Sequence, residues 1–276
     1  EFRRVLFRSN NMNSNLYTIN VSVANLYERP DFNSPVVTQG LLGEECDILD
    51  EKNNWVKIRQ WDKYVSWMNR FSGFANTKHY SGSHFVMDLH GIVFQNIAHT
   101  IPIRDVTFGS KLDAVPLDEA NTYSVQLPDG SDGYYRGDLM HNFPDPTREE
   151  LVLTAKRFLG SPYIWGGKSP KGFDCSGFVQ TVFHSLGIDL PRDAIQQYEC
   201  LKVATVELNQ SLLGDLHFFG TEESITHVGM VVEGNTFIHT QGYVKEESLD
   251  AHSTMANMTL IEKRIATCSI AEVLLA

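Results

Sequence analysis

The feature that most constrains this chain is a change of hydrophobic period at residues 142–147, NFPDPT. Ahead of it, apolar residues come in short β-type runs cut by turn residues; behind it they recur at helical spacing, and one layer of structure cannot serve both patterns. Between Tyr17 and about Phe74, runs such as YTINVSVANLY, WVKIRQWD and KYVSWM read as the closely spaced strands of a small barrel. A second stretch, roughly 79–140, repeats the style with FVMDLHGIVFQ, AHTIPI and TYSVQL. The endings WDKYVSWMNR and SDGYYRGDLM are alike enough to hint at an internal duplication. The expected domains are 12–75, 76–141 and 147–276, with residues 1–11 set aside.

Behind the prolines, Thr147 and Glu150 carry a capping-box signature, and Leu151, Val152, Ala155, Phe158 and Leu159 follow at helical spacing as far as Gly160. Asp174 is a good N-cap for a second helix, in which Cys175, Phe178, Val179, Val182, Phe183 and Leu186 share one face until Gly187. A third, short helix opens at Asp193. Strands are predicted near 215–219, 226–232, 236–240 and 258–266, so helices precede an antiparallel sheet and the domain is α+β.

The net charge of −11 opposes the basic footprint that nucleic acids and anionic membrane surfaces require. No apolar run reaches the roughly 18–20 residues of a membrane span. Cys46, Cys175, Cys200 and Cys268 form no CxxC pair and no Cys/His zinc spacing, so mostly buried, reduced thiols are expected and no metal. The GGKS at 166–169 is not a phosphate loop, because Pro162 stands where its first glycine belongs and Pro170 obstructs the helix that should follow. The opening EFRRVLFRSNN reads as a cloning or assembly remnant ahead of a start at Met12, after which no signal peptide follows. On that basis the protein is expected in the cytoplasm; an internal Met12 would leave a periplasmic or extracellular place open.

The chemistry gathers around Cys175. At the first turn of a helix, free N–H groups and the positive end of the helix dipole favour a thiolate, which is what a cysteine nucleophile needs. The alternative is a small buried hydrophobe on the apolar face. Glycines and prolines shape the approach SPYIWGGKSPKGFDCSGF and bring backbone close to the thiol. A base is available in His227 of ITHVGMVV and His239 of TFIHTQG, which flank the turn EGN. A three-residue turn would set His239 opposite Gly229 with His227 one diagonal away on the same face; an even-numbered turn would separate them. Each histidine alone is an ordinary strand residue, but with Cys175 they fit nucleophile, base and base-orienting group.

PYIWGG, GFDCSGFV, GDLHFF, THVGMV and FIHT, in that order, resemble the NlpC/P60 family of papain-like cysteine peptidases, which cleave cell-wall peptides. By that resemblance Cys175 is the nucleophile, His227 the general base and acid, and His239 the orienting residue, with Tyr163 close to the oxyanion. The β-rich segments resemble bacterial SH3-like domains, as in the family's γ-D-glutamyl-L-diamino acid endopeptidases. The resemblance then implies a papain-like α+β domain preceded by two small all-β SH3-like barrels, and substrate contacts from Asp174, Ser176 and Asp193 together with Tyr64 and Glu28. At Glu28 the chain departs from the family pattern: the family's acidic residue directly precedes the proline, and here Arg29 intervenes. Asp193 also has a purely local reading, as the N-cap of its helix, and Tyr64 one as a packed barrel tyrosine.

The expected activity is hydrolysis of the γ-D-glutamyl-L-diamino acid bond of murein tripeptides or tetrapeptides with a free N-terminal L-alanine, in cell-wall recycling, by a monomer using no cofactor. The alternatives are a cell-wall amidase or acyltransferase using the same three residues, and a weakly catalytic peptidoglycan-binding module.

Overall fold

The computed structural model describes residues 16–76, 79–221 and 224–274; the suggested remnant and Met12 lie outside them. The chain forms two compact units divided after Asn142, at the expected linker.

In the N-terminal unit, alternating apolar residues lay down β1 (Leu16–Ile19), β2 (Val23–Tyr27), β3 (Val36–Leu41), β4 (Glu45–Lys52), β5 (Trp55–Arg59), β6 (Val65–Asn69) and β7 (Gly73–Asn76). They pair antiparallel in the order β3-β2-β6-β5-β4-β1-β7 around a core that includes Ile19, Leu26, Ile58 and Met68. Then come β8 (His84–Val86), β9 (His90–Phe94), β10 (Pro102–Thr107), β11 (Lys111–Pro116), β12 (Thr122–Gln126), β13 (Asp132–Arg136) and β14 (Leu139–Met140), ordered β10-β9-β13-β12-β11-β8-β14. Each strand of the second sheet holds the place of the strand seven before it, so the topology supports an internal repeat. Leu26 opposite Met68 corresponds to Val93 opposite Tyr135, and all four are fully buried. Aligning the two sequence endings would instead set Met68 against Asp138, three residues out of register, because the exposed turn residues dominated that likeness. Leu42 completes the core of the second sheet, and the Lys111 N–H donates to its carbonyl at 2.8 Å.

The C-terminal unit opens with α1 (Arg148–Lys156), capped as expected: the Glu150 N–H donates to Thr147 Oγ1 and the Thr147 N–H to Glu150 Oε2. A short hairpin, β15 (Lys168–Ser169) and β16 (Gly172–Phe173), leads into α2 (Cys175–His184), followed by α3 (Ala194–Leu201). Phe158, Phe173 and Phe178 meet edge-on beneath the hairpin, with no exposed surface, and fix it against the start of α2. The antiparallel sheet runs β17-β22-β18-β19-β20-β21, from β17 (Thr205–Val206), β18 (Leu216–Thr221), β19 (Ser224–Glu233), β20 (Thr236–Gln241), β21 (Tyr243–Ser248) and β22 (Arg264–Cys268). Helix α2 packs on β19 and β20.

One local expectation is corrected, one strand is added, and the turn length left open is settled. The single strand predicted over 258–266 is α4 (Met258–Lys263) followed by β22, because Asn257 Oδ1 accepts the Leu260 N–H and starts a helical turn. The charged stretch YVKEES is a strand, β21, at the edge of the sheet. The turn between β19 and β20 holds two residues, Gly234 and Asn235, since Glu233 pairs with Thr236. That even number alone would separate the histidines, but a bulge between Val231 and Glu233 restores the phase and leaves Gly229 opposite His239.

Candidate active site

Cys175 is the first residue of α2, and its loop is held by one carboxylate. Asp174 Oδ1 accepts the Gly177 N–H at 2.7 Å, and Oδ2 accepts the Gly166 N–H at 2.9 Å. The same two oxygens receive the Arg192 guanidinium at 3.0 and 2.6 Å, and Arg192 Nη1 also donates to Ser176 Oγ at 3.0 Å. Arg192 is 1% exposed, so the two-pronged pair is fixed in a place where a mobile side chain would lose most of its effect. Gly177 permits the close approach: a Cβ there would stand 2.1 Å from the Gly167 carbonyl oxygen.

On the face that packs Phe219 and Phe237 against Leu260 of α4, the sheet carries a chain of polar groups. His227 Nε2 lies 2.8 Å from His239 Nδ1, and His239 Nε2 lies 2.9 Å from Glu247 Oε2. Lys245 Nζ donates to Glu247 Oε1 at 2.7 Å, and Asn257 Nδ2 donates to Oε2 at 2.5 Å. Glu247 reaches His239 diagonally, since its direct partner across β20 is Phe237. The Cys175 sulfur is set against β19 by the N–H of Val228, the residue after His227, and against its own helix by the N–H of Ser176.

The electrostatics differ from the expectation of a ready-made thiolate. Burial, with the Asp174 carboxylate second, pushes the Cys175 thiol up to about 11, outweighing the two N–H groups and Arg192. Burial also lowers His227 to about 3 and His239 to about 4, while the Glu247 carboxylate acts in the opposite sense on both. The resting site is therefore a neutral thiol beside neutral imidazoles, which suits general-base activation during attack rather than a preformed ion pair. Tyr163 is half-buried; burial, then the Cys175 thiol and Asp174, raise its hydroxyl to about 12, so at neutral pH it is a hydrogen-bond donor.

Comparison with known proteins agrees with this geometry. The NlpC/P60 family profile matches residues 160–263, and that of the bacterial dipeptidyl-peptidase Sh3 domain matches residues 26–70. A γ-D-glutamyl-L-lysine dipeptidyl-peptidase of Bacillus subtilis is 31% identical over 219 residues, covering 74% of this chain and 72% of the relative. The chain belongs to the NlpC/P60 family. A protein of the same name from Bacillus cereus is 32% identical over 226 residues, covering 74% of this chain and 66% of its own length. The chain thus spans just under two thirds of that relative. The crystal structure of an NlpC/P60 family protein from Bacillus cereus superposes with a TM-score of 0.80 at 26% identity, covering 92% of this chain and 99% of that one. The fold is accordingly an NlpC/P60 domain with an N-terminal all-β SH3-like region.

Within this NlpC/P60 domain His227 and His239 are in contact, the Cys175 sulfur lies against the N–H of Val228, the residue after His227, and Tyr163 lies close enough to Cys175 to be affected by its charge. Asp174 and Ser176 are buried, and their side chains are engaged by Arg192. Asp193 is half-exposed at the start of α3, where its backbone N–H donates to Gln196 Oε1. Glu28, exposed, and Tyr64, half-buried, belong to the N-terminal unit. Cys46 and Cys268 are buried, whereas Cys200 is exposed on α3, against the expectation of a core thiol. Two residues escaped the sequence reading. Arg192 was hidden between Pro191 and Asp193, and Glu247 sat in a stretch too charged to read as a strand. Strict alternation in YVKEES places Lys245 and Glu247 on the His239 face and was the available signal. Among the described residues no group of three or more His, Cys, Asp or Glu is placed to hold a metal ion.

Proposed function

We propose that this protein is a cysteine endopeptidase that hydrolyses the γ-D-glutamyl-L-diamino acid bond of murein peptides with a free N-terminal L-alanine, of the kind released during cell-wall recycling. The observation that carries the reading is the Cys175 sulfur lying against the Val228 N–H, one residue from an imidazole whose Nε2 is already engaged by His239. The remaining nitrogen, His227 Nδ1, takes the thiol proton as the sulfur attacks the γ-carbonyl carbon. The oxyanion forms where the Cys175 backbone N–H, free of an intrahelical acceptor in the first turn, and the Tyr163 hydroxyl can donate. Protonated His227 then gives its proton to the amine of the diamino acid as the C–N bond breaks, leaving a thioester. Water attacks the thioester, His227 takes the water's proton, and that proton returns to the departing sulfur.

The free α-ammonium of the substrate needs a carboxylate partner, and Asp193, half-exposed beside Arg192 in the same domain, supplies one. The names of the two Bacillus relatives favour L-lysine as the diamino acid and a dipeptide as the product. The test is mass spectrometry of products from L-Ala-γ-D-Glu-L-Lys, its meso-diaminopimelate counterpart and an N-acetylated form. Release of L-Ala-γ-D-Glu from the free peptides by the wild type, and none by Cys175→Ala, is the expected result. The N-acetylated form is expected to stay intact; cleavage of its acetyl–alanine amide instead would make the protein an amidase.

A further inference from the structure

We propose that Glu247 is a positioning residue: through His239 it fixes the proton of both imidazoles on Nε2, so that His227 presents an unprotonated Nδ1 to the Cys175 thiol. This rests on the reading of Cys175 and His227 as nucleophile and base, and adds a fourth member that sets which nitrogen does the work.

The argument is a count of donors and acceptors. Glu247 Oε1 receives the Lys245 ammonium, which can only donate, and Oε2 receives the Asn257 amide N–H. The Lys245 ammonium pairs with the carboxylate at 2.7 Å and, with the Asn257 amide, favours its ionised form, so Glu247 carries no proton at neutral pH and is an acceptor toward His239. The remaining 2.9 Å contact then requires the proton on His239 Nε2. A neutral ring with Nε2 protonated has a bare Nδ1, which must accept from His227 Nε2 at 2.8 Å. A neutral His227 with its proton on Nε2 has its lone pair on Nδ1. Each assignment forces the next, and the chain starts at a carboxylate, the one group in it with no choice of tautomer.

The surroundings keep the rings neutral and in place. His239 has no exposed surface, and burial lowers both histidines while Asn257 and Lys245 help hold Glu247 below the usual carboxylate range. The groups around the pair are Phe219 from β18, Phe237 from β20, Lys245 and Glu247 from β21 and Asn257 before α4, with the neutral Cys175 thiol of α2 against the neighbouring Val228 N–H. Among these only Lys245 and Glu247 carry charge at neutral pH. When His227 becomes an imidazolium, the Glu247 charge stabilises it through two existing hydrogen bonds, and no proton has to move along the chain.

Glu247→Gln keeps size and shape but offers a donor as well as an acceptor. With its oxygen kept on the Lys245 ammonium, its amide takes the place of Oε2, where it displaces the Asn257 amide that it cannot accept from, faces His239 Nε2, reverses both tautomers and blocks Nδ1 of His227. The experiment is ¹⁵N NMR of the full chain labelled at histidine, without substrate, near neutral pH. Both rings are expected as Nε2–H tautomers in the wild type, with a substantial shift to Nδ1–H in Glu247→Gln. With L-Ala-γ-D-Glu-L-Lys, kcat is expected to fall roughly 100-fold or more with KM within about twofold, the scale of misplacing a catalytic base's proton. The acid limb of kcat/KM is expected at lower pH, since the base has lost a nearby anion. An Nδ1–H tautomer at His227 in the wild type overturns the proposal whether or not the variant folds. So does a folded Glu247→Gln with unchanged tautomers and pH profile. Because the NMR measurement needs no turnover, an inactive wild type would sink the proposed function and leave this result to be judged separately.

Discussion

Arg192 grips Asp174 with both prongs, Nη2 at 2.6 Å from Oδ2 and Nη1 at 3.0 Å from Oδ1, in a pocket that leaves the arginine 1% exposed. The pair connects the residue before the nucleophile to the residue before Asp193, the N-cap of α3. Through Asp174 it also governs the N–H groups of Gly166 and Gly177, so the strand-to-helix turn that carries Cys175 depends on a side chain 18 positions downstream.

Breaking that pair is expected to be costly. Arg192→Ala leaves a buried carboxylate with one side unmet and is expected to destabilise the C-terminal unit by about 3–5 kcal/mol, read as a fall in the urea midpoint. Arg192→Lys keeps the charge but loses the fork, and is expected to fall between the two. A midpoint for Arg192→Ala indistinguishable from wild type would show that the pair does not hold the loop.

The thiol offers a test of the resting state. With Cys175 pushed up to about 11 by burial and by Asp174, its thiolate fraction should keep growing with pH through the range accessible to measurement. In a Cys200→Ser background, which removes the exposed thiol, the rate of iodoacetamide alkylation at Cys175 is expected to rise roughly tenfold per pH unit from pH 7 to 9. A rate already level below pH 7 would mean a preformed thiolate–imidazolium pair.

Much of this arrangement was legible because the features involved are local. The Thr147 capping box, the Asp174 cap and the face of α2 are written in residues three and four apart, and the structure keeps all of them. The phase of His227 and His239 came out as expected by a different route, a two-residue turn plus a bulge, because a bulge leaves no mark in composition. What escaped was non-local or contrary to propensity. Arg192 acts at a distance in sequence, and β21 is an edge strand whose charged side chains serve the site rather than a core. The low thiol pKa was inferred from the helix end alone, without the burial that outweighs it.

Gly229, on β19, stands opposite His239 and tests how tightly the histidine pair is packed. A Cβ there would lie 2.7 Å from the Phe237 ring and 3.0 Å from the His239 Cβ, so Gly229→Ala must displace one of them. The expected cost is about 1–3 kcal/mol in unfolding free energy, with a fall in kcat larger than any change in KM, because Phe237 packs on His239 and displacing either shifts the ring that orients the base. A variant with wild-type kcat would show that the His227–His239 contact tolerates more movement than the geometry implies.

His217 gives a pH-dependence separable from the catalytic groups. It has no exposed surface, its Nδ1 lies 2.9 Å from Thr267 Oγ1, and burial, with Arg264 adding to it, lowers its pKa to about 3. Its pKa in the unfolded chain is about 6.5, so below that value the unfolded state binds the proton and the folded state does not. Stability from this group is therefore complete above about pH 6.5 and is lost as pH falls toward 3, at roughly 1.4 kcal/mol per pH unit over most of that window. His227 and His239 act in the same direction, so the wild type should weaken steeply on acidification. His217→Gln keeps a hydrogen-bonding partner for Thr267 but cannot titrate. Between pH 4 and 6 its plot of unfolding free energy against pH is expected to be shallower than wild type by about one proton. Parallel slopes for the two proteins would mean that His217 is already protonated in the folded state.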